Sequence, residues 1–181
     1  MNIPNLLTLL RIIMVPVIVI LLIQGSFFKA LIVFVAAGLT DILDGFLARV
    51  LHQQTELGSY LDPVADKSLL ISSFLTLSIL NIIPGWLAVI VISRDFIILL
   101  GISVLTIMSI SVEIRPAFIS KITTALQLIT VLLSLSALCL PGGIGKMWLL
   151  AFYWVTAFFT IVSGLNYMAR GMKIINSDAK K

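Results

Sequence analysis

The chain has 181 residues, 60% hydrophobic and 11% charged, with a formal net charge of +4. Soluble domains are about half apolar and about a quarter charged, so this balance excludes an ordinary soluble domain and predicts an all-α integral membrane protein. The basic residues are scattered and end in the tail Arg170, Lys173, Lys180 and Lys181, which suits anionic membrane lipids rather than nucleic acid.

A spanning helix takes about 20 apolar residues, so the chain has room for about six and for no soluble module. One membrane domain over residues 1–181 is therefore expected. Residues 2–11, NIPNLLTLLR, are amphipathic and predict an N-terminal interfacial segment leading into helix 1, residues 5–24. Gln24, Gly25 and Ser26 make the first turn, and helix 2 runs from Phe28 to Leu51. A polar loop from His52 to Gly58 precedes helix 3, Ser59 to Leu80, and a Pro/Gly turn over Asn81–Gly85 leads to helix 4, Trp86 to Ser109. A polar link ending at Pro116 precedes helix 5, Phe118 to Leu140; Pro141, Gly142 and Gly143 then break the chain before helix 6, Lys146 to Met172. With six spans both termini share a side. That side collects Arg11, Arg49, Arg115, Lys121, Arg170 and Lys173, against Lys29 and Lys146 opposite, so it is predicted to be cytoplasmic. The lone Cys139 excludes an intramolecular disulfide.

The chemistry concentrates between Asp41 and Asp66. Residues three and four apart share a helix face, so Asp41, Asp44, Gly45 and Ala48 form one stripe and Asp62 and Asp66 another. Carboxylates close to hydrocarbon cost at least about 3 kcal/mol each unless neutralised, and Arg49 and Lys67 leave at least two of the four acids without a cation. Bound metal ions are the expected compensation. Oxygen-only donors select hard cations, Mg²⁺ or Mn²⁺ or Ca²⁺, over zinc, and four carboxylates can hold two such ions for phosphoryl chemistry. Gly45 and Ala48 remove side-chain bulk where a ligand would approach, and Arg49 can grip a phosphate. From the residues alone, a buried ion-pair cluster, a cation transporter and a lipid-binding protein stay open beside an enzyme. A second polar island, Arg94-Asp95, falls within helix 4; Asp95 reads as half of a salt bridge and Arg94 as an anion ligand. Arg115, Lys121 and Thr124 bring further polarity to the start of helix 5.

The acidic spacing is Asp, two residues, Asp-Gly, two residues, Ala-Arg, eight residues, Gly, three residues, Asp, three residues, Asp. It resembles, at every position, the signature of the class I CDP-alcohol phosphotransferases. The resemblance implies a six-helix membrane enzyme, a homodimer, that moves a substituted phosphate from a CDP-linked donor to an alcohol and releases CMP. It implies that Asp41, Asp44, Asp62 and Asp66 hold two Mg²⁺ or Mn²⁺ ions, with Asp66 also the general base. Asn5, Thr8, Asp41, Gly45, Ala48, Arg49 and Gly58 would bind the CDP donor, CDP-diacylglycerol, and Arg94, Arg115, Lys121 and Thr124 the acceptor. Within the family, NIPNLLTLLR and LDPVADK look like the glycerol-acceptor branch. Phosphatidylglycerophosphate synthases carry a second Arg where this chain has Ile102, and a Gly-Lys-x-Lys-Thr run where it has Ser120-Lys121-Ile122-Thr123-Thr124. ISRD at 92–95, RPAFISKITTALQ at 115–127 and TAFFT at 156–160 look like the CMP-forming cardiolipin synthases. The expected acceptor is thus phosphatidylglycerol, with glycerol 3-phosphate as the alternative. The expected location is a bacterial inner membrane, with the site facing the cytoplasm.

Overall fold

A computed structural model describes residues 3–50, 56–107, 118–139 and 145–178, with side chains described at 8–40, 65–101, 118–139 and 145–172. Six helices make up these residues: α1 (Ile3–Ile23), α2 (Phe27–Val50), α3 (Glu56–Ile79), α4 (Gly85–Ile107), α5 (Phe118–Cys139) and α6 (Lys146–Asp178). The N-terminal segment expected at the interface is continuous with α1. The sixth helix runs past its expected end at Met172 to Asp178.

Two helix ends are set by the same local device. Gly25 has φ of 70°, Ser26 N–H donates to Leu21 O and Gly25 N–H to Leu22 O. Asn81 has φ of 57°, Ile82 N–H donates to Leu77 O and Asn81 N–H to Ser78 O. Each pattern closes the last helical carbonyls through one left-handed residue, the position that Gly and Asn tolerate best. After the second turn, Pro84 O accepts from Leu87 N–H at 3.0 Å and caps the start of α4.

Contacts among the described residues order the helices in a ring, α1–α2–α5–α6–α4–α3 and back to α1, with α3 also touching α5 across the middle. The sequence-adjacent α2 and α3 each make their most extensive contact with α1 rather than with one another. The core follows the helical period: Leu70, Phe74 and Leu77 of α3 meet Ile18 and Leu22 of α1, Phe34 of α2, Leu87 and Val91 of α4 and Leu135 of α5. The outer faces are apolar too, as at Ile20, Phe28, Val89, Phe96, Phe158 and Leu165. Two stretches, Phe118–Cys139 and Lys146–Met172, are long and apolar enough to cross a membrane among the described residues.

Candidate active site

A cavity of about 240 Å³ opens between α1, α2, α3 and α5. Phe34, Ala37, Leu69, Leu128 and Leu132 make its walls apolar, and its two polar members are Arg11 and Asp66. The cavity lies along α2 beside the acidic stretch: Gly38 lines it, a side chain added there would meet nothing within 4 Å, and Asp41 follows three residues on. Asp66 is half-buried, whereas Arg11 is fully buried at 0% exposure. Both are partnered within the protein. Arg11 entered the sequence reading only as one of the basic residues of the predicted cytoplasmic side; it is turned inward, into the cavity that holds the last acid of the motif. Its hint in the sequence was its place three residues after Thr8 on the same helical face, and Thr8 is also buried.

A second polar centre joins α3, α4, α5 and α6. Asp95 pairs with Lys67 at 3.5 Å and with its neighbour Arg94. Arg94 also donates through Nη2 to Ser120 Oγ and, at 3.0 Å, to Ser163 Oγ. The Tyr167 ring lies 6.0 Å from its Cζ, and Gly164 leaves room for its aliphatic stem. A carboxylate between two cations inside a helix bundle is held by charge-assisted bonds, the strong kind. The salt bridge expected for Asp95 is therefore present, and its inter-helix partner is Lys67.

Between α5 and α6 runs a buried polar seam. The Thr123 hydroxyl lies between Ile119 O and Phe159 O, and Thr130 meets Thr156 at 2.7 Å. Ser134 meets the Tyr153 hydroxyl, which also reaches Ile82 O at 3.4 Å. Such cross-helix hydroxyl bonds join apolar helices that have little else to tell them apart. They hold together the pair of helices that carries Ser120 and Ser163.

The expected site residues fall as follows. Asn5 is on α1, Asp41, Asp44, Gly45, Ala48 and Arg49 are on α2, and Gly58 and Asp62 are on α3, all with side chains outside the described set. Arg115 lies outside the described residues. Thr8 is buried on α1, Lys121 is exposed in the first turn of α5, and Thr124 turns its hydroxyl back to Ser120 O. Lys121, Thr124 and Gln127 stand at steps of three, but the buried polar residues of α5 are Thr123, Gln127, Thr130 and Ser134. Among the described residues no three potential metal ligands cluster. Asp66 supplies the kind of donor that a hard cation takes, an oxygen, with no nitrogen or sulfur ligand beside it in the cavity.

The sequence model of the CDP-alcohol phosphatidyltransferases matches residues 1–162. This chain belongs to that family. Relatives similar to it carry two kinds of name. "Cardiolipin synthase (CMP-forming)" of Homo sapiens is 36% identical over 96% of this chain and 63% of its own length. "Probable phosphatidylglycerophosphate synthase" of Mycobacterium tuberculosis is 33% identical over 96% of this chain and 83% of the relative. "CDP-diacylglycerol--glycerol-3-phosphate 3-phosphatidyltransferase" of Bacillus subtilis is 30% identical over 97% of this chain and 98% of the relative. The chain thus spans less than two thirds of the human cardiolipin synthase and nearly all of the Bacillus enzyme.

Proposed function

We propose that this chain is a membrane enzyme, one six-span domain over residues 1–181, that transfers the phosphatidyl group of CDP-diacylglycerol to a glycerol hydroxyl of phosphatidylglycerol, forming cardiolipin and CMP. The observation that carries the reading is Asp66, the last acid of the complete family motif, placed half-buried on an apolar cavity. A carboxylate there can take the proton of a lipid's hydroxyl, where apolar walls limit the access of competing water.

The chemistry is a displacement at phosphorus. The acceptor oxygen bonds to the phosphatidyl phosphorus, the bond from that phosphorus to the CMP oxygen breaks, and the hydroxyl proton goes to Asp66. Asp41, Asp44, Asp62 and Asp66 would hold two Mg²⁺ or Mn²⁺ ions, which when bound supply positive charge against the diphosphate. Asn5, Thr8, Gly45, Ala48, Arg49 and Gly58 would bind the CDP end of the donor. Arg94, Arg115, Lys121 and Thr124 would form the acceptor side. The apolar outer faces suit a bilayer and a homodimer within it, and the basic residues orient the site towards the cytoplasm of a bacterial inner membrane.

A second acceptor is favoured by one specific observation: the Bacillus relative named for glycerol 3-phosphate matches over 98% of its own length. The purified chain, given CDP-diacylglycerol, Mg²⁺ and each acceptor in turn, is expected to yield cardiolipin and CMP from phosphatidylglycerol by mass spectrometry. Product from glycerol 3-phosphate alone would replace cardiolipin by phosphatidylglycerophosphate as the product.

A further inference from the structure

Of the two cations that share Asp95, Lys67 is more open to an acceptor than Arg94. The two terminal nitrogens of Arg94 bond Asp95, Ser120 and Ser163, only Nε lacks a partner among the described residues, and its side chain is 6% exposed. Lys67 shares the same carboxylate, yet its side chain is 25% exposed. Two cations on one acid leave one positive charge at this centre, and Lys67 is the member that can present it.

Three helices continue past the centre towards the side predicted to be cytoplasmic. The centre lies two residues inside the start of α5 at Phe118, while α3 continues from Lys67 back to Glu56, α4 from Asp95 on to Ile107 and α6 from Ser163 on to Asp178. At 1.5 Å per residue these three helices run past it by about 16, 18 and 22 Å. They stand as walls above the cluster, on the side predicted to be cytoplasmic. Lys67 also follows Asp66 directly, and one residue is a turn of about 100° on a helix. Asp66 therefore borders the cavity shared by α1, α2 and α5, while Lys67 reaches Asp95 on α4. A substrate phosphate held by Lys67 and a hydroxyl deprotonated by Asp66 would belong to two ends of one small headgroup.

We propose that Lys67 binds the acceptor's phosphate and that Asp95 is the residue that positions it. The proposal rests on the phosphatidyl-transfer reading above. It assigns Lys67 a role separate from neutralising the acids of the motif, and it assigns Asp95 a role through Lys67.

The test is steady-state kinetics of the purified full chain with CDP-diacylglycerol and Mg²⁺, comparing Lys67→Met, Lys67→Arg, Asp95→Asn and the double variant Lys67→Met/Asp95→Asn. Loss of one charged phosphate contact is expected to raise the acceptor KM about tenfold in Lys67→Met. The CDP-diacylglycerol KM should stay unchanged, and Lys67→Arg should recover most of the loss. Asp95→Asn should raise the acceptor KM in the same direction, and the double variant should be no worse than Lys67→Met, because the two act as one unit. An unchanged acceptor KM in Lys67→Met, an equal rise in the donor KM, or additive single effects would overturn the proposal. If Lys67→Met does not purify folded, Lys67→Gln gives the same reading with the chain length kept. The lipid made by the wild type judges the acceptor reading separately. If only glycerol 3-phosphate is used, that reading falls, while the KM split on glycerol 3-phosphate still decides whether Lys67 holds the acceptor.

Discussion

Asp66 and Arg11 share one cavity, yet a change at each should be felt differently. Asp66→Asn keeps size and hydrogen bonding and removes the base. Turnover should fall about a thousandfold, within the range of lost general-base catalysis, while binding of CDP-diacylglycerol partly survives in a sedimentation assay. Arg11→Met leaves its former partners inside the protein without their cation. Loss of its buried contacts should lower the thermal midpoint along with turnover. The two residues were also unequally legible. Asp66 closes a spaced motif that is readable without any structure. Arg11 is an ordinary basic residue near an N-terminus until α2, α3 and α5 fold around its face of α1. The Lys67–Asp95 pair was equally hidden, since 28 residues separate its members and no local rule connects them.

The ends of the helices were the easiest elements to read, because turn chemistry is local. Gly25 and the Pro84–Gly85 pair marked breaks that the backbone reproduces within a few residues. Gly25→Ala forces a Cβ into the left-handed region and should cost about 1 kcal/mol in a denaturation midpoint. The facing of α5 was harder. Serine and threonine occur on several of its faces, so steps of three and steps of four both draw a polar stripe. The packing of α6 selects the stripe through Thr130, and a substitution pair can show it. Thr130→Val breaks the 2.7 Å bond to Thr156 and should lower stability by about 1 kcal/mol. Gln127→Met should be neutral or stabilising in the same melt, because Gln127 Oε1 finds no hydrogen-bond partner among the described residues and its amide bond to Thr160 is long, at 3.4 Å.

Among the described residues the molecule places its two polar centres on neighbouring faces of α3, about 100° apart: the cavity with Arg11 and Asp66 towards α1, α2 and α5, and the Lys67–Asp95–Arg94 cluster towards α4. This arrangement follows from the ring order of the helices, in which, among the described residues, α1 makes extensive contact with both α2 and α3, an order that the sequence did not contain. Chelation should test the proposed metal dependence at this scale. Excess EDTA is expected to abolish CMP release and added Mg²⁺ to restore it, with the helical circular-dichroism signal unchanged throughout. The proposed orientation has its own readout: single cysteines placed at 24–26 and at 52–55 in a background without Cys139 should react with an impermeant thiol reagent from opposite sides of sealed vesicles. The turns at Gly25 and Asn81 then acquire a pharmacological meaning. Each is closed by its own backbone within a few residues. Whichever side of a membrane they face, these two turns offer an antibody or a protease almost nothing to hold.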